Sequence, residues 1–179
     1  MKLVILDRDG VINKDSVHSI KSPEEWVPIE GSLEAISLLN KNGYTVVVAT
    51  NQSAIGKKLI SNVTLDNIHK KMQDLLNKKS GKIDKIFYCP HIEEDNCTCR
   101  KPKTGLMQKI KEHYSISLEK IPAIGDSTRD LEAYSKSEAQ PILVRTGNGK
   151  DVEKKKSFPS NTLIFDNLLE ASKFIIKME

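Results

Sequence analysis

Two aspartates, Asp7 and Asp9, flank one arginine directly after a short apolar run at 3–6, and Gly10 follows them. If the chain stays extended, positions i and i+2 face the same side, which would set the two carboxylates together. Like charges held that close call for a cation or a shared proton. A hard divalent ion with oxygen ligands fits, and Mg²⁺ is usual where phosphates are handled. An Asp-rich turn that merely ends a strand would show the same residues. Farther on, Thr50-Asn51-Gln52-Ser53 could turn a hydroxyl and an amide toward phosphoryl oxygens, or else form a turn or helix cap. Gly125-Asp126-Ser127 supplies another carboxylate and a glycine that permits close backbone approach. Asp130 reads as a cap or first-turn acid of the following helix. Between these series lies Cys99-Arg100-Lys101-Pro102-Lys103, dense in positive charge and ordered by a proline.

All three cysteines fall between Cys89 and Cys99, with His91 among them. An odd number argues against a disulfide framework. Cys89, His91, Cys97 and Cys99 match the ligand set of tetrahedral zinc, and four protein ligands leave no open position, so such a zinc would be structural. The plainer alternative, three buried cysteines beside a surface histidine, suits poorly a loop that also holds Glu93, Glu94, Asp95 and Asn96. Because Cys99 directly precedes Arg100 and Lys101, a clamped loop would fix both cations. His18, His69 and His113 read as solvent-facing or helix-surface residues.

Elements must bring these residues together. Residues 2–6 read as a buried strand, and 44–49, with Thr45-Val46-Val47-Val48, as a second one buried on both faces. Further strands are expected at 83–88, 121–124, 141–144 and 162–165. Helices are expected at 32–39, from a cap at Thr64 through Leu76, and at 105–113, 130–136 and 168–176. Strands alternating with helices imply an α/β, doubly wound parallel sheet, with ligands outside the carboxyl ends of the strands. The candidate residues all follow strands. With 179 residues the chain suits one domain, 1–179, large enough to bury a core without staples.

A composition of 38% apolar and 29% charged residues is that of an ordinary soluble protein. No stretch approaches the ~20 apolar residues of a membrane helix, and the opening apolar run is too short for a signal peptide, which implies a cytoplasmic protein without membrane partners. Aromatics make up 5% and no basic stripe interleaves them, so nucleic acid is not an expected partner. The net charge of +4 points only weakly to an anionic ligand. A small phosphorylated molecule bound by a monomer is the expectation.

In order and spacing over residues 3–130, the series Asp7-x-Asp9-Gly10, Thr50-Asn51, Lys101 and Gly125-Asp126 resembles the four motifs of the haloacid dehalogenase superfamily. The resemblance implies that superfamily's Rossmannoid fold and phosphatase chemistry. Asp7 would become an aspartyl-phosphate, Asp9 would act as acid and then base, and Thr50 and Lys101 would hold the phosphoryl oxygens. Mg²⁺ would be held by Asp7, the backbone carbonyl of Asp9, and Asp126. Short segments at 13–31 and after Ser53 leave no room for a cap domain. With the Cys₃His loop and Arg100-Lys101-Pro102 added, the chain is most similar to the heptose 1,7-bisphosphate 7-phosphatase family, which removes the C7 phosphate in nucleotide-heptose synthesis for bacterial lipopolysaccharide. That likeness implies sugar or second-phosphate contacts by Asp15, Ser16, Val17, His18, Thr50, Asn51, Gln52, Ser53, Arg100, Lys101 and Ser127. Ala54-Ile55-Gly56-Lys57-Lys58 departs from the family's usual Gly-Ile-Ala-Arg-Gly, and lysine cannot reproduce a bidentate arginine. Histidinol-phosphate phosphatases share both the loop and the motifs. A zinc-stabilised protein that binds phosphorylated ligands without turnover is a third reading, although a pure binder needs no second carboxylate.

Overall fold

The computed structural model describes residues 1–178. Six strands form one sheet: β1 (Leu3–Leu6), β2 (Thr45–Asn51), β3 (Lys85–Cys89), β4 (Pro122–Gly125), β5 (Gln140–Val144) and β6 (Leu163–Phe165). Their order is β3-β2-β1-β4-β5-β6, and every pairing is parallel. Between them run α1 (Ser32–Lys41), α2 (Asn62–Lys78), α3 (Gly105–Tyr114), α4 (Thr128–Lys136), α5 (Gly149–Lys155) and α6 (Leu168–Lys177).

Side-chain alternation along the strands divides the apolar residues between two cores. Val4, Leu6, Val46 and Val48 pack with Ile36 and Leu39 of α1, Ile68 and Met72 of α2, and Ile175 of α6. Leu3, Ile5, Val47 and Ala49 face the other way, onto Leu106 and Ile110 of α3 and Leu131 and Tyr134 of α4. The expected doubly wound parallel sheet is therefore the one observed.

Several details differ from the sequence-based expectation: β2 runs on through Asn51 and β3 through Cys89, residues expected in the loops that follow. The cap of α2 is Ser61, whose Oγ accepts the Thr64 N–H at 3.1 Å, so the helix begins at Asn62, before the residue expected to cap it. Helix α4 starts at Thr128, ahead of Asp130. Helix α5 was not anticipated, because Gly147-Asn148-Gly149 reads as a breaker and only one short turn's worth of apolar spacing follows it.

The strand order reverses at β1: the chain runs outward through β2 and β3, then returns to β1's other side with β4. A crevice at the carboxyl ends of β1 and β4 is the expected ligand site in such a sheet. Asp7 and Asp126 occupy those two ends. No helix among the described residues is long and apolar enough to cross a membrane.

Candidate active site

Asp7 leaves β1 with its N–H still donating to the Ile124 carbonyl of β4 at 2.8 Å, which ties the nucleophile candidate to the neighbouring strand. Its Oδ1 accepts from Lys101 Nζ at 2.9 Å. The lysine is almost wholly buried, with 1% side-chain exposure, donates to the Ala49 carbonyl at 2.7 Å, and pairs with Asp130 Oδ1 at 2.5 Å. Asn51 fixes the backbone on which Lys101 stands, donating to its carbonyl and accepting its N–H, both at 3.1 Å. Two strand ends and a helix therefore aim one ammonium.

Asp130 is the first-turn acid of α4, as its position suggests: its Oδ2 accepts from the N–H of the capping residue Ser127 at 3.1 Å and from Ser127 Oγ at 2.6 Å. Its second role, as the partner of Lys101, is invisible in local spacing. Gly125 makes room for it, since a Cβ there would lie 2.4 Å from Asp130 Cβ. Asp126 Oδ2 accepts two bonds from Asn148, from the backbone N–H at 2.8 Å and Nδ2 at 3.0 Å. Asn148 is a further residue that sequence spacing did not single out. Gly10, at φ +82°, passes so close to Asp126 that any side chain would strike the carboxylate.

Asp9 is wired separately. Arg8 Nη2 donates to both its oxygens, at 2.9 and 3.0 Å, and Asn13 Nδ2 and Gln52 Nε2 each add a bond at 2.9 Å. Gln52 also donates to Thr50 Oγ1 at 3.0 Å and accepts from Arg8 Nη2 at 3.0 Å. The arginine is held in turn by His69, 3.2 Å away on α2. His69 was expected on a helix surface facing solvent; it lies half-buried against Arg8 instead. Nothing within α2 could have shown this, because Arg8 is 61 residues distant.

Asp7, Asp9, Thr50, Asn51, Lys101, Asp126 and Ser127 line one cavity of 110 Å³ together with Asp15, Arg129 and Asn148. Beside it, a 700 Å³ hollow holds Asp15, Ser16, Val17 and Arg129, and a 260 Å³ hollow holds Arg100, Lys101 and Arg129. Among the described residues, His18, Gln52 and Ser53 line none of the three. Arg129, shared by all of them, was not foreseen. An apolar hollow of 400 Å³ opens at the opposite end of the sheet, near Leu3, Tyr44 and Ile121, and is lined by no acid.

The four zinc-ligand candidates converge. Cys99 Sγ lies 3.1 Å from Cys89 Sγ, 3.6 Å from Cys97 Sγ and 3.3 Å from His91 Nδ1. All three cysteines are free. A tetrahedral zinc with its usual bonds would hold thiolates about 3.8 Å apart, so this donor set fits the ion in kind and nearly in spacing. At Gly56 the preceding loop presses onto the Cys₃His segment: its N–H donates to the Pro90 carbonyl at 2.9 Å, and a Cβ would lie 2.8 Å from that oxygen. Lys57 and Lys58 beyond it are exposed.

A family model for polynucleotide kinase 3 phosphatase matches residues 2–159. The chain is 49% identical over 176 residues to D-glycero-beta-D-manno-heptose-1,7-bisphosphate 7-phosphatase of Pseudomonas putida, covering 98% of this chain and all of that one. It is 44% identical to the enzyme of that name from Neisseria meningitidis serogroup A, covering 99% and 96%. The chain belongs to the heptose-bisphosphate phosphatase family. A crystal structure of the family's Bordetella bronchiseptica member, in complex with magnesium and phosphate, superposes with a TM-score of 0.99 over the full length of both chains at 42% identity. A haloacid dehalogenase-like phosphatase from Mesorhizobium loti, 24% identical, shares the fold at a TM-score of 0.82, covering 99% of this chain and 87% of that one.

Electrostatics decides what the family's site must hold here. Oxygens of Asp7, Asp126 and Asp130 lie within 4.8 Å of one another, and Lys101 is the ammonium among them. Three carboxylates against one ammonium leave an excess of negative charge. Burial, then Asp130, pushes Asp7 up to about 7 although Lys101 opposes them. Burial, then Asp130 and Asp7, pushes Asp126 to about 8. Burial would lower Lys101, but Asp130 and Asp7 outweigh it and hold the ammonium well above its ordinary range. Both Asp130 oxygens are already committed, which leaves Asp7 and Asp126 as the acids that fit a divalent cation.

A carboxylate whose pKa rises on folding destabilises the native state as pH climbs from the unfolded value toward the folded one, because the folded protein keeps a proton that the unfolded chain has released. For Asp7 and Asp126 that window runs from 3.8 to about 8. A divalent cation held by both acids would need them ionised and would relieve their repulsion. The rise in melting temperature on adding Mg²⁺ should therefore grow between about pH 6 and about pH 8.5. Comparing the protein with and without Mg²⁺ at each pH removes contributions from other groups. A Mg²⁺-induced shift equal at both ends of that range would contradict this electrostatic account.

Proposed function

We propose that this protein hydrolyses the C7 phosphate of D-glycero-D-manno-heptose 1,7-bisphosphate through an aspartyl-phosphate on Asp7, supplying precursors for nucleotide-heptose and lipopolysaccharide core synthesis. The observation that carries the reading is the buried Lys101–Asp7 pair beside Asp126, in a chain that matches heptose-bisphosphate phosphatases from end to end. Three free cysteines agree with the reducing cytoplasm as its location. No feature of the site favours histidinol phosphate or ligand binding without turnover.

The roles follow from the wiring. Asp7 Oδ attacks phosphorus, the bond from phosphorus to the sugar oxygen breaks, and Asp9 supplies the proton that the leaving oxygen takes. Water then attacks the aspartyl-phosphate and gives its proton to Asp9, releasing phosphate and restoring Asp7. Burial alone would raise Asp9, but Arg8, Asn13 and Gln52 outweigh it and hold its pKa below the ordinary value, the ionised form suited to the second step. An incoming phosphoryl anion raises the carboxylate's proton affinity and so favours the acid form in the first step. Lys101 and Thr50 steady the charge that spreads over the transferring oxygens. Mg²⁺, held by Asp7, the Asp9 carbonyl and Asp126, supplies further positive charge to the same oxygens. Asp15, Ser16 and Val17 on one side and Arg100 on the other would meet the sugar and its second phosphate, with Ser127 and Asn51 on the wall between. His18, Gln52 and Ser53 line none of these hollows, and Gln52 instead bonds Asp9, Thr50 and Arg8.

Zinc on Cys89, His91, Cys97 and Cys99 would fix the loop from which Arg100 and Lys101 project. Arg100 Nη1 already reaches back to the His91 carbonyl at 3.4 Å, linking the guanidinium to a ligand residue.

Asp7→Asn should fold normally, since it removes a buried charge from an acidic cluster, while phosphate release falls more than about 10³-fold. Near wild-type turnover by this variant would end the covalent mechanism. Protein purified without chelators should carry one zinc per chain by elemental analysis, and Cys97→Ser should lose both the zinc and about 10²-fold of activity as Lys101 shifts. Zinc-free protein with full activity would refute that assignment. Finally, kcat/KM should favour the heptose bisphosphate over histidinol phosphate, because an arginine attracts the second phosphate and repels a cationic amine. Arg100→Ala should shrink the preference about tenfold, or about 1.4 kcal/mol, and leave basal phosphatase activity. Better turnover of histidinol phosphate by the unaltered protein would reject the heptose reading.

A further inference from the structure

Arg8 is a fully buried cation that touches no phosphoryl-binding cavity, and the reaction outlined above gives it no direct task. Each of its three nitrogens nevertheless has a partner. Nε and Nη2 face Asp9, Nη2 also meets Gln52 Oε1 at 3.0 Å, and Nη1 points at His69 Nε2 at 3.2 Å. A guanidinium can only donate, so His69 must accept through Nε2 and carry its proton on Nδ1. Burial, then Arg8, depresses His69 to about 3, so the ring stays neutral and remains an acceptor throughout the physiological range.

The platform behind the ring is firm. His69 lies on α2 between Leu65, Ile68 and Met72, all of them fully buried, and its ring meets Tyr88 of β3 edge-on at 6.3 Å. Two residues on, Lys71 donates to the Pro23 and Trp26 carbonyls at 2.6 and 2.9 Å, binding α2 to the segment that follows the Asp7–Asn13 turn. Side chains that set a reactive group need such support, because slack of about 1 Å can remove about 10²-fold in rate.

We infer that His69 is a positioning residue for the acid–base carboxylate: by accepting from Arg8 Nη1 it fixes the plane of the guanidinium, and the guanidinium fixes Asp9 toward the leaving oxygen. Without that acceptor, Nη1 of a buried guanidinium has no partner, and only the bonds of Nε and Nη2 to Asp9 and Gln52 resist a tilt of its plane. Gln52 then retains its bond to Thr50 but loses the cation that orients its amide. The inference rests on the acid–base role proposed for Asp9, and the control below separates the two.

The readout is dependence on the leaving group. An alkyl or sugar oxygen needs a proton as it departs, whereas dinitrophenolate does not. In His69→Ala, kcat/KM for the sugar phosphate should fall about 10- to 100-fold, while that for 2,4-dinitrophenyl phosphate stays within about threefold of wild type. His69→Gln, whose Oε1 can accept from Arg8, should restore most of the loss. Asp9→Asn is the control and should show the same discrimination more strongly. Equal losses on both substrates in His69→Ala, or no rescue by glutamine in a folded protein, would overturn the inference. A discriminating Asp9→Asn beside an indifferent His69→Ala would overturn it alone. An Asp9→Asn that does not discriminate would overturn the acid–base role and this inference with it.

Discussion

One buried ammonium sets the terms for everything around it. Lys101 sits with 1% exposure between Asp7 and Asp130, and removing the ammonium would leave both buried carboxylates uncompensated, at a cost on the order of 3–5 kcal/mol. The lysine therefore cannot be left to a flexible loop. Its backbone is clamped by Asn51 at the end of β2, its Nζ is bound to the Ala49 carbonyl, and its segment begins at Cys99 of the convergent Cys₃His set. The same constraint explains Gly125: Asp130 reaches the lysine only because no side chain stands at the end of β4.

A second charge system lies beside the first and shares little with it. Arg8 neutralises Asp9 as Lys101 neutralises Asp7, so two carboxylates two residues apart are assigned to different cations. Their environments push them in opposite directions, with Asp7 raised and Asp9 lowered. Groups separated in this way can take different parts in one reaction, the first as metal ligand and nucleophile, the second as proton carrier. Gln52 is the bridge, since its amide touches Asp9, Thr50 and Arg8 at once.

Geometry also explains how an uncapped site can be selective. The cavity at Asp7 is small, with room for a phosphoryl group, and it opens into two wider hollows on either side of Arg129. Under the proposed function, selection among phosphate esters would take place in those hollows, on the Asp15–Val17 loop and on the loop bearing Arg100.

Much of this protein was determined locally. Runs such as Thr45-Val46-Val47-Val48 can be satisfied only by a strand buried on both faces, and alternation of such strands with helices compels a parallel, doubly wound sheet. Polar residues at the carboxyl ends of strands then fall at one edge of that sheet, so Asp7, Thr50 and Asp126 were legible as a group. The cysteine spacing likewise announced its own cluster. What local pattern could not decide was partnership. Lys101 meets Asp7 across 94 residues, Arg8 meets Gln52 across 44 and His69 across 61, and each pairing depends on strand order and helix rotation. Asp130 shows the difference in one residue. Its position after β4 fixes it as the first-turn acid of a helix, but only the fold brings a lysine from a distant loop to its other oxygen, because burial leaves that ammonium no water to turn to.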